Sequence, residues 1–199
     1  EVDAFPEPAD RRAIGERVVD TLVAIHDVDP DRVGLGGLAK KEDYVARQLK
    51  RWYTQFQGSD AQVEGGLGLR VVHDVHDLLS TSIPSQGPAT IVHGDYRLDN
   101  CMLADDGSIA AVLDWEICTL GDPLADVGLL WVYWSDPDED AVMPQASPTA
   151  LDGFPRKRDL VDRYGQEPGR DLSDLPFFVA FGYWKLMCII AGVYARYAG

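Results

Sequence analysis

Between Ala9 and Val28 the apolar residues Ile14, Val18, Leu22 and Ile25 recur at helical intervals, with acids and arginines on the other faces, and predict an amphipathic helix. Pro30 and the glycines at 34, 36 and 37 end it. A second helix is predicted from about Lys41 to Gln57, where Tyr44, Val45, Leu49, Trp52 and Phe56 form an aromatic-rich stripe that reads as core packing rather than a cofactor box. A third follows the loop from Gly58 to Gly68. Its expected buried side is Leu69, Val72, Leu78 and Leu79, and it stops before Pro84.

The periodicity then shortens. Thr90 to His93, Cys101 to Ala104 and Ile109 to Asp114 read as short strands, the last two joined through an Asp105-Asp106-Gly107 turn that suits a hairpin. From Asp122 and Pro123, suited to a cap and first turn, GDPLADVGLLWVYW predicts a helix apolar nearly all round and therefore buried. Asp136 to Pro155, with its prolines and acids, reads as a long surface loop, and helices over about Arg156 to Tyr164 and Leu175 to Tyr197 finish the chain. The pattern is an α+β chain, mainly helical, with a short β-hairpin region.

Composition narrows the classes. With 199 residues and 46% apolar content, the chain has material for one domain with a sizeable core. A formal net charge of -15 argues against nucleic acid as a partner. Three cysteines without CxxC spacing suggest neither a disulfide framework nor a zinc site, which fits a reducing, cytoplasmic setting. The apolar run from Pro176 to Ala195 is broken by Gly182, Lys185 and Gly192, so it reads as a buried helix rather than a membrane span. The first residues do not read as a secretory signal, and an opening Glu1 rather than Met suggests a piece of something longer.

The chemistry concentrates in HGDYRLDN (His93 to Asn100) and VLDWE (Val112 to Glu116). A phosphoryl transferase needs a carboxylate to take the acceptor hydroxyl's proton and oxygen ligands to hold Mg2+ against ATP phosphates. Asp95, just past a strand end, is placed for the first task. Asn100, at the far end of the same loop, and Asp114, ending the third strand, offer an amide oxygen and a carboxylate for the second.

These residues resemble a known family. His93-Gly94-Asp95 with Asn100 is similar to the catalytic loop of aminoglycoside phosphotransferases and choline-kinase-like enzymes, a variant of the protein-kinase loop, and Leu113-Asp114-Trp115-Glu116 resembles their counterpart of the kinase metal-binding segment. HGDYRLDN, together with GLGGLAKKEDYVARQLKRW and the terminal GVYARY, resembles the kinase-like domains attached to some acyl-CoA dehydrogenases over nearly the whole chain. The resemblance implies the large, C-terminal lobe of a protein-kinase-like fold across residues 1–199, with ATP and Mg2+ as cofactors and a small-molecule hydroxyl as acceptor. It implies Asp95 as catalytic base, Asn100 and Asp114 as magnesium ligands at the nucleotide, and Asp126 as support for the catalytic loop, with His93 bracing it.

Other readings stand beside these. Arg97, two residues after the base, could neutralise the transferring phosphate or pair with Asp99. Met102 could floor the adenine pocket or be a plain core methionine. Asp99 and Glu116 read as solvated acids, and Trp131, Tyr133 and Trp134 as core. His73-Asp74-Val75-His76-Asp77 could hint at a metal phosphohydrolase, but no second His-rich segment accompanies it. The glycine-rich loop, lysine and glutamate of a nucleotide-covering N-terminal lobe are not visible, so that lobe is expected to belong to the parent protein. The acceptor class is open among antibiotics, choline-like alcohols, sugars and hydroxyacyl thioesters, and a non-catalytic kinase-like module is the alternative.

Overall fold

The helix read from Ile14, Val18 and Leu22 is α1 (Pro8–His26), and those side chains are fully enclosed. The computed structural model describes residues 4–139, 147–167 and 169–198. The aromatic stripe becomes the inner face of α2 (Tyr44–Asp60), with Tyr44, Val45, Leu49, Trp52 and Phe56 buried. Helix α3 (Arg70–Thr81) turns a different face inward from the one expected. Val72 and Leu79 are buried, but Leu69 and Leu78 are exposed. His76 competes successfully for the inner face because its ring stacks on Tyr53, centroids 3.8 Å apart, and leans on Trp184. Stacked aromatic rings gain about 0.5–1.5 kcal/mol beyond the area that they bury.

Two small antiparallel sheets follow among the described residues. β2 (Cys101–Leu103) and β3 (Ile109–Val112) form the expected hairpin, closed by Gly107 at φ 73. β1 (Thr90–Val92) pairs with β4 (Thr119–Gly121), a strand that the sequence pattern did not disclose, Ile91 opposite Leu120. This second pairing brings the segment after β1 and the segment after β3 to one place.

Helix α4 (Leu124–Tyr133) is enclosed as its composition predicts, and α6 (Leu175–Ala198) packs chiefly on α4 and α2. The crossing of α4 and α6 is close because it runs through Gly128 and Gly182: a Cβ on Gly128 would lie 2.5 Å from the Phe178 carbonyl oxygen. Phe178, Phe181 and Trp184 fill the space beside it, each contributing on the order of 2 kcal/mol through removal of apolar surface from water. By length and composition alone α6 could cross a membrane; in this fold its aromatic face lies against α4 and α2.

Helix α5 (Lys157–Gly165) rests on α1. The stretch before it is not simply surface loop, as its prolines and acids suggested. Thr149 accepts a hydrogen bond from the Ser135 backbone at 2.8 Å, Phe154 is buried against Trp134, and the Trp134 indole donates to the Pro155 carbonyl at 2.9 Å. Apolar and hydroxyl side chains spaced among the prolines give that segment its own contacts. Residues 140–146 of it lie outside the described residues.

Candidate active site

Gly94 is the first requirement of the site. Its φ of 85 lies in the left-handed region, and a Cβ there would come within 3.2 Å of Ile117, so only glycine turns the chain out of β1 without strain. That turn presents the next residue, Asp95, at the surface end of the sheet, where it is partly exposed.

The backbone of this turn is held by side chains from elsewhere. Asp126, on α4 and wholly buried, accepts from the His93 amide through Oδ2 at 2.7 Å and from the Gly94 amide through Oδ1 at 2.8 Å. His93 is enclosed as well. Its Nε2 donates to the Leu113 carbonyl at 2.8 Å, which leaves Nδ1 as the acceptor for the Asp95 amide at 3.2 Å. The ring therefore clasps the Asp95 turn to the residue before Asp114 and has both nitrogens engaged. Asn100 closes the loop by donating from Nδ2 to the Asp95 carbonyl at 2.7 Å and to its carboxylate at 3.1 Å. The Leu113 amide in turn donates to the Asn100 carbonyl at 2.8 Å. Asp95, Asn100 and Asp114 thus stand on two loops stitched together by main-chain bonds.

Asp114 sits at the tip of the second loop, exposed, with φ 66. Aspartate tolerates the left-handed region better than most residues but not without cost, and such conformations gather at functional sites. The Trp115 indole steadies the tip by donating to the Val112 carbonyl at 2.8 Å and lies against His93.

Arg97 pairs with Asp99, one of its two readings, and lies beside Asp95 as well. Its guanidinium lies 3.7 Å from Asp95 and 3.6 Å from Asp99, and 4.9 Å from the centre of the Tyr133 ring. Its Nε is buried with no hydrogen-bond partner among the described residues. Tyr133 consequently faces the site rather than only the core: burial first, and then the Asp95 carboxylate, push its phenol up to about 12. Trp134 is core, as expected. Met102 is about half exposed on the hairpin, which removes the plain core reading of that residue.

The His73/His76 pair does not gather ligands. His73 is bonded to the Tyr53 hydroxyl at 2.6 Å, and no group of three or more His, Cys, Asp or Glu assembles for a metal among the described residues.

Two site-supporting residues escaped the sequence reading. His26, at the end of α1, places Nε2 3.3 Å from Asp126 Oδ2 and Nδ1 2.8 Å from the Tyr164 hydroxyl, which also accepts from Arg170 at 2.7 Å. The imidazole thus links Asp126 to α5. Lys185, read only as an interruption of an apolar run, reaches from α6 to the Gly94 carbonyl at 2.5 Å. A cation at a core position of an apolar helix was the available signal for Lys185; His26, one turn after Leu22, offered only its place on the buried stripe.

This fold, with one loop carrying an aspartate and an asparagine and a second carrying an aspartate, defines a kinase-like phosphotransferase lobe. The chain matches the profile of the phosphotransferase enzyme family, APH, over residues 1–160, and belongs to that family. It is 30% identical over 194 residues to human acyl-CoA dehydrogenase family member 11, covering 96% of this chain and 24% of that protein. It is likewise 30% identical over 195 residues to mouse acyl-CoA dehydrogenase family member 10, covering 96% and 18%. The chain therefore spans a quarter or less of these relatives. A solved structure from Ralstonia eutropha JMP134, assigned to the aminoglycoside phosphotransferases, superposes with a TM-score of 0.79 at 31% identity, covering 97% of this chain and 59% of that one.

Proposed function

We propose that this chain is the catalytic lobe of an MgATP-dependent phosphotransferase that moves a γ-phosphoryl group onto a hydroxyl of a small molecule. The observation that carries the reading is the stitched pair of loops, which brings a carboxylate at the surface, Asp95, beside the amide of Asn100 and the loop of Asp114. Asp95 takes the hydroxyl proton as the acceptor oxygen bonds to phosphorus and the bond to the leaving phosphate oxygen breaks.

MgATP, when bound, supplies the transferable group with its charge partly neutralised. Asn100 and Asp114 would hold the metal. The Asn100 amide nitrogen is engaged by Asp95, which leaves the amide oxygen for a cation, and the Asp114 carboxylate is exposed at its loop tip. Hard oxygen donors of this kind suit magnesium, which keeps several waters and is held together with substrate phosphates rather than by an all-protein cage. Arg97, with an unpartnered buried N–H beside the base, is suited to the phosphoryl oxygens. The exposed Met102 is suited to a purine ring, and the reading assigns the remaining nucleotide contacts to an N-terminal lobe of the parent protein.

The acceptor is a hydroxyl-bearing small molecule of the aminoglycoside-like, choline-like, sugar or hydroxyacyl thioester kind. A cytoplasmic setting without nucleic-acid or membrane partners suits the free thiols of Cys101, Cys118 and Cys188 and the net charge of -15. Titration calorimetry of ATP with and without Mg2+, on this chain and on the full-length protein, tests the reading. Magnesium-dependent binding by the full-length protein supports it; no binding by either defeats it.

A further inference from the structure

The middle of α6 buries a cation that the chemistry above leaves without a task. Lys185 is 6% exposed and runs behind the Asp95 turn. The ion pairs of this region, His26 with Asp126 and Arg97 with Asp95, do not include it. Its ammonium lies 4.9 Å from the centre of the Trp52 ring on α2 and donates to the Gly94 carbonyl oxygen at 2.5 Å. The charged groups that face it are Asp126 from α4, Asp95 from the loop, and Arg51 from α2.

Removing a lone ammonium from water is costly, and a methionine of similar length would fill the same space without that cost. Its position suggests what it does. The Gly94 carbonyl belongs to the peptide unit that joins Gly94 to Asp95, and the N–H of that same unit donates to His93 Nδ1. The plane of this one peptide, which sets the direction of the Asp95 Cα–Cβ bond, is therefore gripped at both ends, by Lys185 on one side and His93 on the other.

We propose that Lys185 is a positioning residue for Asp95, fixing the Gly94–Asp95 peptide plane so that the carboxylate points at the acceptor hydroxyl. The inference rests on the assignment of Asp95 as the base. It makes Lys185 a determinant of turnover rather than of nucleotide binding or folding.

The test uses the full-length protein with MgATP as the probe and water as the acceptor, comparing wild type, Lys185→Met, Lys185→Arg and Asp95→Asn. For Lys185→Met the expectation is a kcat lowered by about tenfold to a hundredfold, the scale on which a misplaced reacting group acts, with KM for MgATP within about twofold. Thermal stability should be equal or higher, and amide hydrogen exchange of the 93–97 segment faster while the rest of the chain is unchanged. Lys185→Arg, which keeps a cationic donor, should recover part of kcat. An unchanged kcat and unchanged exchange in a folded Lys185→Met protein, with Asp95→Asn inactive, overturn the positioning role alone. Full hydrolysis by Asp95→Asn overturns the base assignment and this inference with it. Failure of both Lys185 variants to fold makes the residue structural and overturns the proposal as well.

Discussion

Asp95 is tied through its carbonyl and its carboxylate to Asn100 and through its amide to His93, so an amide in place of the carboxylate fits the same pocket. Asp95→Asn should therefore fold normally and bind MgATP, while phosphoryl transfer falls by about 10² to 10⁴, the contribution of a positioned base. Steady-state transfer to any accepted hydroxyl substrate measures this, and undiminished turnover removes Asp95 from its role. Asp126 is different in kind, because it satisfies two enclosed main-chain amides at once. Asp126→Ala leaves both without an acceptor and should cost about 3 kcal/mol or more, read as a shift in the urea midpoint. At this scale the spacing of His93, Asp95, Asn100 and Asp114 pointed to two loops, and the fold joins those loops. His26 and Lys185 were not legible because their partners, Asp126 and Gly94, lie 100 and 91 residues away along the chain, and no local pattern records such contacts.

Among the elements, the glycines of α4 and α6 decide how near the two helices come. Gly128→Ala drives a methyl group into the Phe178 backbone, which has no freedom to move aside as a side-chain end would. The substitution should cost about 1–3 kcal/mol as an overpacked core does, against the slight gain alanine brings to an exposed helix. A thermal melt checks the sign, and an unchanged or raised melting temperature would mean that the crossing relaxes freely. The long helices were readable from their periodicity because their stripes run over several turns. β4 was not, since Thr119-Leu120-Gly121 ends in a glycine that runs straight into the Asp122-Pro123 helix start, and its partner β1 lies about 30 residues earlier. The inward face of α3 was legible in Val72 and Leu79 but not in His76: hydropathy ranks Leu78 above it, and Tyr53, the ring on which it stacks, lies on another helix.

For the whole molecule, the buried lysine should be visible in the pH dependence of stability. Burial holds the Lys185 ammonium down at about 8, against an ordinary 10.5. Below that lower value both folded and unfolded chains carry the proton, and the cost of burying the charge is present in full. Above it the folded chain releases the proton while the unfolded chain still holds it, so this group's contribution to stability rises with pH, by up to about 1.4 kcal/mol per unit. The thiols of Cys101, Cys118 and Cys188, pushed up by burial from an ordinary 9, act in the opposite direction within the same range, and the phenols of Tyr44, Tyr96 and Tyr164 do so beyond their ordinary 10. Urea unfolding at several pH values from about 8 to about 10 should show the lysine's rise as a more upward slope in wild type than in Lys185→Met, since the thiol contribution is common to both. An equal slope in both proteins would place its origin elsewhere.

The grips on the Asp95 turn share one property: Asp126, Lys185 and Asn100 all take hold of main-chain atoms. A main-chain atom is the same whatever side chain its residue bears. Exposed Asp99, by contrast, meets its neighbour Arg97 through side chains, at 3.6 Å. The side chains that the loop carries can therefore change over generations without loosening these grips, so the course of the turn can be inherited separately from the identity of the residues displayed on it.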